Sequence, residues 1–266
     1  MNKILMGVLM TALTLTSCKK EEVTPEENNS NTNPTTENLA EIASATNAAN
    51  QTVTLYSESS DLTTGYTNLY VKITDASGTN VESATVEYAP LMVMPAMSHT
   101  CPVEQPVYNS TTGNYKGAVV FIMASMAGDW SIDVTVNGNP VTFDLTVAEA
   151  PTKVVGAYQG TDGESYFISL LRPVVWNVGL NDVEVLIHRR ESMMSFPADN
   201  DFVIDMVPEM MSMGHGSPNN VSPTLIGNGH YKGVINYTMT GDWRMHMTLS
   251  KAGVEIHSDA YLDILF

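Results

Sequence analysis

Gly128-Asp129-Trp130-Ser131-Ile132-Asp133-Val134-Thr135-Val136 and Gly241-Asp242-Trp243-Arg244-Met245-His246-Met247-Thr248-Leu249 are two versions of one segment. From the tryptophan onward, every second residue is large and apolar, and the residues between are polar. Side chains of a strand alternate between faces, so a period of two predicts a half-buried β-strand with its tryptophan inside. Leu69, Val71 and Ile73 follow the same rule, as do Phe143, Leu145 and Val147, and Val183, Val185 and Ile187. Gly, Asn and Asp punctuate the runs, as turns between strands require.

Outward from these strands the duplication continues. Met94-Pro95-Ala96-Met97-Ser98-His99-Thr100-Cys101-Pro102 stands against Met210-Met211-Ser212-Met213-Gly214-His215-Gly216-Ser217-Pro218. Without a gap, Met94 aligns with Met210, Met97 with Met213, His99 with His215 and Pro102 with Pro218. The register runs on to Gly113-Asn114-Tyr115-Lys116-Gly117 and Gly229-His230-Tyr231-Lys232-Gly233. After three extra residues in the first copy, Met126-Ala127-Gly128 aligns with Met239-Thr240-Gly241. So many landmarks in order mark a tandem duplication. About 100 residues of short alternating strands per copy predict an all-β chain of two tandem immunoglobulin-like β-sandwich domains. They are placed at 51–148 and 153–266, with the join at Ala148–Lys153 broken by Pro151.

The chain has 266 residues, 12 Lys and Arg, 29 Asp and Glu, and a net charge of -17. Such a chain lacks the cations that displace counterions from nucleic acid, and it lacks a basic patch for anionic lipid. A hydrophobic fraction of 43% is enough for packed cores, and the low charged fraction of 15% favours β structure with polar turns. No Gly-x-Ser-x-Gly elbow, His-Glu-x-x-His pair or phosphate loop occurs, and the reading is non-enzymatic.

Residues 1–18 read as an export signal: Lys3 supplies the positive charge, and Ile4 to Thr16 is an apolar stretch too short to span a bilayer. It ends in Leu15-Thr16-Ser17-Cys18, similar to a bacterial lipobox, so Cys18 is the expected lipidation site. Lys19, Lys20, Glu21 and Glu22 then resemble the surface-export tag of Bacteroidetes lipoproteins. Residues 19–50, rich in Glu, Asn, Thr and Ser, read as an acidic flexible stalk with a helical turn around Leu39–Ala45. The expected location is an outer-membrane lipoprotein, facing the periplasm or the cell surface and touching the membrane only through its lipid.

The ordered set Met-Pro-x-Met-x-His, Gly-x-Tyr-x-Gly and Met-x-Gly-Asp-Trp resembles the YtkA-like/FixH-like domain family, and both copies carry it. Gly179 and Asn181 also look like the family's Gly-x-Asn, whereas Met211 stands where the family has proline. The resemblance implies an extracytoplasmic β-sandwich and, more loosely, copper handling or assembly of copper-containing oxidases.

The chemistry of the repeated motif agrees with a metal theme. In an extended segment, residues two apart share a face. Met97, His99 and Cys101 would then converge, as would Met211, Met213 and His215, with Met94 and Met210 nearby and Met126 and Met239 approaching from an adjacent strand. Thioether, imidazole and thiolate together suit Cu(I), and zinc is a poorer fit. The expected role is copper buffering or delivery to a copper-handling, efflux or oxidase-assembly partner. The other reading is a non-metal binding or adhesion module whose Met and His are structural, since methionine also fills cores.

Met245 and Met247 align with Ile132 and Val134 and are expected inside. Met123 and Met206 are read as core too, while Met92, Met193 and Met194 have no clear assignment. His188 is expected on a solvated face, His246 faces away from Met245 and Met247, and His230 and His257 have no partner in sequence. Tyr115 and Tyr231 are expected to cover the core edge, next to glycines that permit positive φ.

Overall fold

The computed structural model describes residues 38–171 and 175–266. The export signal, Cys18 and residues 19–37 of the expected stalk lie outside the described residues. The first copy contains β1 (Ala40–Thr46), β2 (Thr52–Ser57), β3 (Leu62–Thr63), β4 (Gly65–Thr74), β5 (Val86–Val93), β6 (Ser98–His99), β7 (Val103–Asn109), β8 (Asn114–Phe121), β9 (Asp129–Val136), β10 (Asn139–Leu145) and β11 (Val147–Ala148). The second contains β12 (Val155–Gln159), β13 (Ser165–Leu171), β14 (Gly179–Arg189), β15 (Phe202–Met210), β16 (His215–Gly216), β17 (Val221–Gly227), β18 (His230–Tyr237), β19 (Asp242–Lys251) and β20 (Val254–Leu265).

Each copy is a sandwich of a five-stranded and a four-stranded sheet. The orders are β1-β2-β4-β8-β7 with β10-β9-β5-β6, and β12-β13-β14-β18-β17 with β20-β19-β15-β16. The two topologies correspond strand for strand, with β3 and β11 as a parallel addition in the first. Alternation works as the sequence predicts: Trp130, Ile132, Val134 and Val136 are buried in one core, and Trp243, Met245, Met247 and Leu249 in the other. Met206 joins the second core. Fully burying an aliphatic or thioether side chain contributes about 1.5–3 kcal/mol, so these rows hold the sheets together.

The first sandwich begins earlier than expected. Residues 40–46 form the edge strand β1, paired antiparallel with β2, and not a stalk with a helical turn. Ile42, Ala43 and Ala45 pack against the first core. Asn47 closes the turn to β2, its side-chain oxygen accepting the Ala49 and Gln51 amides. Small apolar residues suffice here because the ladder with β2 satisfies the backbone.

Gly-x-Tyr-x-Gly is a structural device in both copies. The Tyr115 ring lies in the core, and its hydroxyl donates to the Val81 carbonyl and accepts the Ala84 amide. Tyr231 does the same with the Asp199 carbonyl and the Phe202 amide. Each ring therefore sits inside the core, not at its edge, and pins the loop that enters β5 or β15. The second glycine has its own purpose. A Cβ on Gly117 would stand 2.6 Å from the Glu104 carbonyl oxygen, because β7 bulges inward between Glu104 and Val107. The bulge aims Gln105 at the opposite sheet, where its amide accepts the Tyr88 N–H and donates to the Tyr88 carbonyl. Ser222 of the matching bulge accepts the Met206 N–H. These contacts close strand edges that would otherwise offer unpaired backbone groups.

The two sandwiches belong to one compact unit, Pro34–Phe266. Ala118 and Val120 of β8 and Phe167, Leu186 and His188 of β13 and β14 alternate with core residues, so they point away from their own cores, yet all are buried. β4 lies against β13, and the Thr100 amide donates to the Met193 carbonyl at 2.9 Å. Across this junction His230 of β18 contacts Glu104 of β7 and Glu184 of β14. His188 is therefore not solvated, contrary to the alternation reading. Burial inside the junction drives its imidazole down to about 4. The continuous apolar runs Ala118–Phe121 and Val185–Ile187 are the sequence signal that both faces are covered.

Candidate metal centre

At the end of the first sandwich, β5 turns back into β6. Met92 stands opposite His99, and Val93 opposite Ser98. The turn is closed by the Met94 amide donating to the Met97 carbonyl at 2.9 Å. On its other side Met92 faces Trp130 of β9. The matching hairpin places Met210 opposite both His215 and Trp243, with the Met213 and Gly214 amides donating to the Met210 carbonyl.

These pairings revise the gap-free alignment. By strand register the counterpart of Met210 is Met92, since both stand between a histidine and the core tryptophan, while Met210 over Gly241 still matches Met94 over Gly128. Pro90 then matches Pro208, each opposite the second apolar residue of its β9 or β19 row. The first hairpin is longer and takes up the difference with Met94 and its neighbours. The later methionine shifts as well. The Trp130 indole donates to the Met123 carbonyl and the Trp243 indole to the Met239 carbonyl, so Met123 is the counterpart of Met239. The three extra residues form a 3-10 turn, Ser125–Ala127, whose Met126 is 99% exposed. Met126 therefore does not approach the motif from an adjacent strand.

The two histidines share one hydrogen-bonding and packing geometry. His99 Nδ1 donates to the Thr100 carbonyl at 2.7 Å, and the ring meets Trp130 edge-on with centroids 5.5 Å apart. His215 Nδ1 donates to the Gly216 carbonyl at 3.0 Å, and its ring meets Trp243 at 5.7 Å. A carbonyl only accepts, so Nδ1 carries a proton, and Nε2 is the ring nitrogen left to act as a donor to a metal when the ring is uncharged. In the first copy that nitrogen is buried without a hydrogen-bond partner. The second histidine is half-buried and its nitrogen can meet water.

The expected ligands divide accordingly. Met92, Met94, Met97 and His99 share one hairpin: Met92 is fully buried, Met94 packs on the core, and Met97 is exposed. Met94 lies over Gly128, its Cγ 2.7 Å from where a Cβ would stand. Met210 is buried, whereas Met211, Met213 and Met239 are exposed at the same end of the second sandwich. Cys101, two residues beyond His99, is buried like it on the inner side of the first sandwich. Burial also pushes its thiol well above the usual range. Met193 and Met194 lie on the loop that meets the first hairpin: the Met193 carbonyl accepts the Thr100 amide, and Met194 is exposed. Met123 is partly exposed and does not enter the core.

The remaining histidines are paired elsewhere. His246 contacts Asp259 and Glu209 on the outer face of the second sandwich, and His257 contacts the Gln159 carbonyl. Among the described residues, no three His, Cys, Asp or Glu side chains gather in a metal-holding arrangement. A metal at these hairpins would be held by thioethers and one imidazole, a soft donor set. Sequence reasoning passed over Met92, although its Pro-x-Met spacing repeats at Pro208 to Met210.

No family profile matches the chain. No curated protein matches it either. Among solved structures it is similar to a tandem of titin immunoglobulin domains, at 10% identity over 77% of this chain and 90% of that chain, with a TM-score of 0.20. It is also similar to a chimeric titin tandem carrying a fibronectin-derived peptide, at 15% identity over 75% of this chain and 94% of that one, with a TM-score of 0.19.

Proposed function

We propose that this chain is a lipid-anchored extracytoplasmic protein that binds copper as Cu(I) through its Met/His hairpins and buffers it or passes it to a partner. The observation that carries this reading is the buried, unpartnered Nε2 of His99. Leaving a buried nitrogen unpaired is unfavourable by about 1–3 kcal/mol, and a bound soft ion would satisfy it. Met92, Met94 and Met97 are the thioethers on the same hairpin. His215, with Met210, Met211 and Met213, is the open counterpart. Copper would bring soft Lewis acidity, and the chain's own part is to hold the imidazole in the tautomer that presents Nε2. The motif resemblance to YtkA-like/FixH-like domains points the same way, and the lipobox ending at Cys18 supports the anchor.

The test is a Cu(I) titration against a competing chelator under reducing conditions. Binding of one or two equivalents, lost in His99→Ala and His215→Ala, supports the reading. Unchanged stoichiometry in both variants removes it. Mass spectrometry of the mature N-terminus tests the anchor, and an unmodified Cys18 removes that part.

The packing of His99 and His215 against tryptophans favours the second reading, a binding module without metal. There the exposed Met97, Met126, Met211 and Met213 would be apolar contact points at the sandwich ends. A protein or glycan partner captured equally well with copper and with a copper chelator would support it.

A further inference from the structure

We propose that His188 and His230 form an acid-sensitive latch between the two sandwiches: His230 holds them together as a cation, and His188 drives them apart once it too takes up a proton. His230 lies on β18 opposite Leu186 of β14, and His188 is two residues further along the same face of β14. The Nδ1 of His230 is 2.6 Å from Glu184 of its own sandwich, and its Nε2 contacts Glu104 of the other. Two ionised carboxylates only accept, so both ring nitrogens must donate, and the ring between them is an imidazolium. Hydrogen bonds with Glu104 and then Glu184 raise it to about 9.

The remaining groups at the junction fit that assignment. The Tyr66 hydroxyl of β4 donates to Glu104 at 2.7 Å, and burial with the adjacent carboxylate keeps it protonated. Burial would raise the Glu104 carboxyl, but hydrogen bonds from His230 and Tyr66 outweigh it and hold it low. His188 is buried, and its Nδ1 has no partner. Burial and then the neighbouring His230 cation oppose its protonation, while Glu104 favours it, leaving it at about 4. Lys232 pairs with Asp182 on β14 further out, both largely in solvent.

The signs give the window. His188 lies below its ordinary value of 6.5, so its contribution is complete above that value and is lost as pH falls through about 4. Glu104, also depressed, acts in the same direction. His230 is raised, so its contribution is complete below 6.5 and is lost as pH rises through about 9. The junction is tightest near neutral pH, and acid opens it.

Small-angle scattering of the full chain, with near-ultraviolet dichroism of Trp130 and Trp243 as a monitor of each core, tests this. In the wild type the radius of gyration is expected to rise as pH approaches about 4, while both tryptophan signals persist. His188→Asn is expected to remain closed over the same range, and His230→Gln to be open already at neutral pH. A wild type that stays closed, or a His188→Asn variant that opens at the same pH as the wild type, overturns the latch. Expansion that coincides with loss of the tryptophan signals is general acid unfolding and also overturns it. Should His230→Gln not fold, the wild type and His188→Asn still decide the matter.

Discussion

His99 meets Trp130 edge-on, with ring centroids 5.5 Å apart and planes at 88°. The same pair recurs as His215 and Trp243. One lone pair in the first copy is shut away from solvent, while its counterpart is half-open. The duplicated motif has therefore produced two chemically unequal sites from one geometry.

That inequality is measurable without metal. His99→Ala empties a buried position against Trp130 and should destabilise the first sandwich by about 2–5 kcal/mol. His215→Ala, at a half-exposed ring, should be distinctly milder. Urea unfolding followed through tryptophan fluorescence compares the two, and equal losses would contradict the burial difference.

The tyrosine hydroxyls each serve two backbone groups of the loop before β5 or β15. Tyr115→Phe and Tyr231→Phe leave those groups unsatisfied and should each lower stability by about 1–3 kcal/mol. Denaturant midpoints check this. A change below a few tenths of a kcal/mol would mean that water replaces the hydroxyl without penalty.

Gly117→Ala places a methyl against the Glu104 carbonyl in the bulge. The bulge must straighten, and Gln105 then loses its hold on Tyr88. The expected loss is about 1–3 kcal/mol, with faster amide exchange at Tyr88. Gly138→Ala is a useful control, since nothing stands near its Cβ and any loss there reflects positive φ alone.

Cys101 is expected to resist iodoacetamide in the folded chain at neutral pH and to react fully in denaturant, because burial both covers the thiol and keeps it protonated. Intact-mass spectrometry reads the outcome. Copper binding should survive Cys101→Ala, and its loss in a folded variant would return the thiol to the ligand set.

The strands, the doubled sandwich and the two tryptophan-centred cores were legible in the chain itself. Period-two alternation and repetition are one-dimensional signals, and Trp130, Met245 and Met247 obey them. The edge strand β1 was not legible, because Ala40–Thr46 takes its stability from pairing with β2 and not from its own composition. His188 misled for a related reason: alternation says which side a residue faces, not what covers that side.

The candidate site divides in the same way. The sequence by itself determined that a Met/His motif is carried twice, at matching positions of two similar units. Only the tertiary structure decided that Met92 and not Met94 stands across from the histidine, that Cys101 turns into the core and that Met126 points to solvent. Those outcomes depend on hairpin register and on a three-residue turn. Both are set by which strand lies opposite, and no local run of residues specifies that.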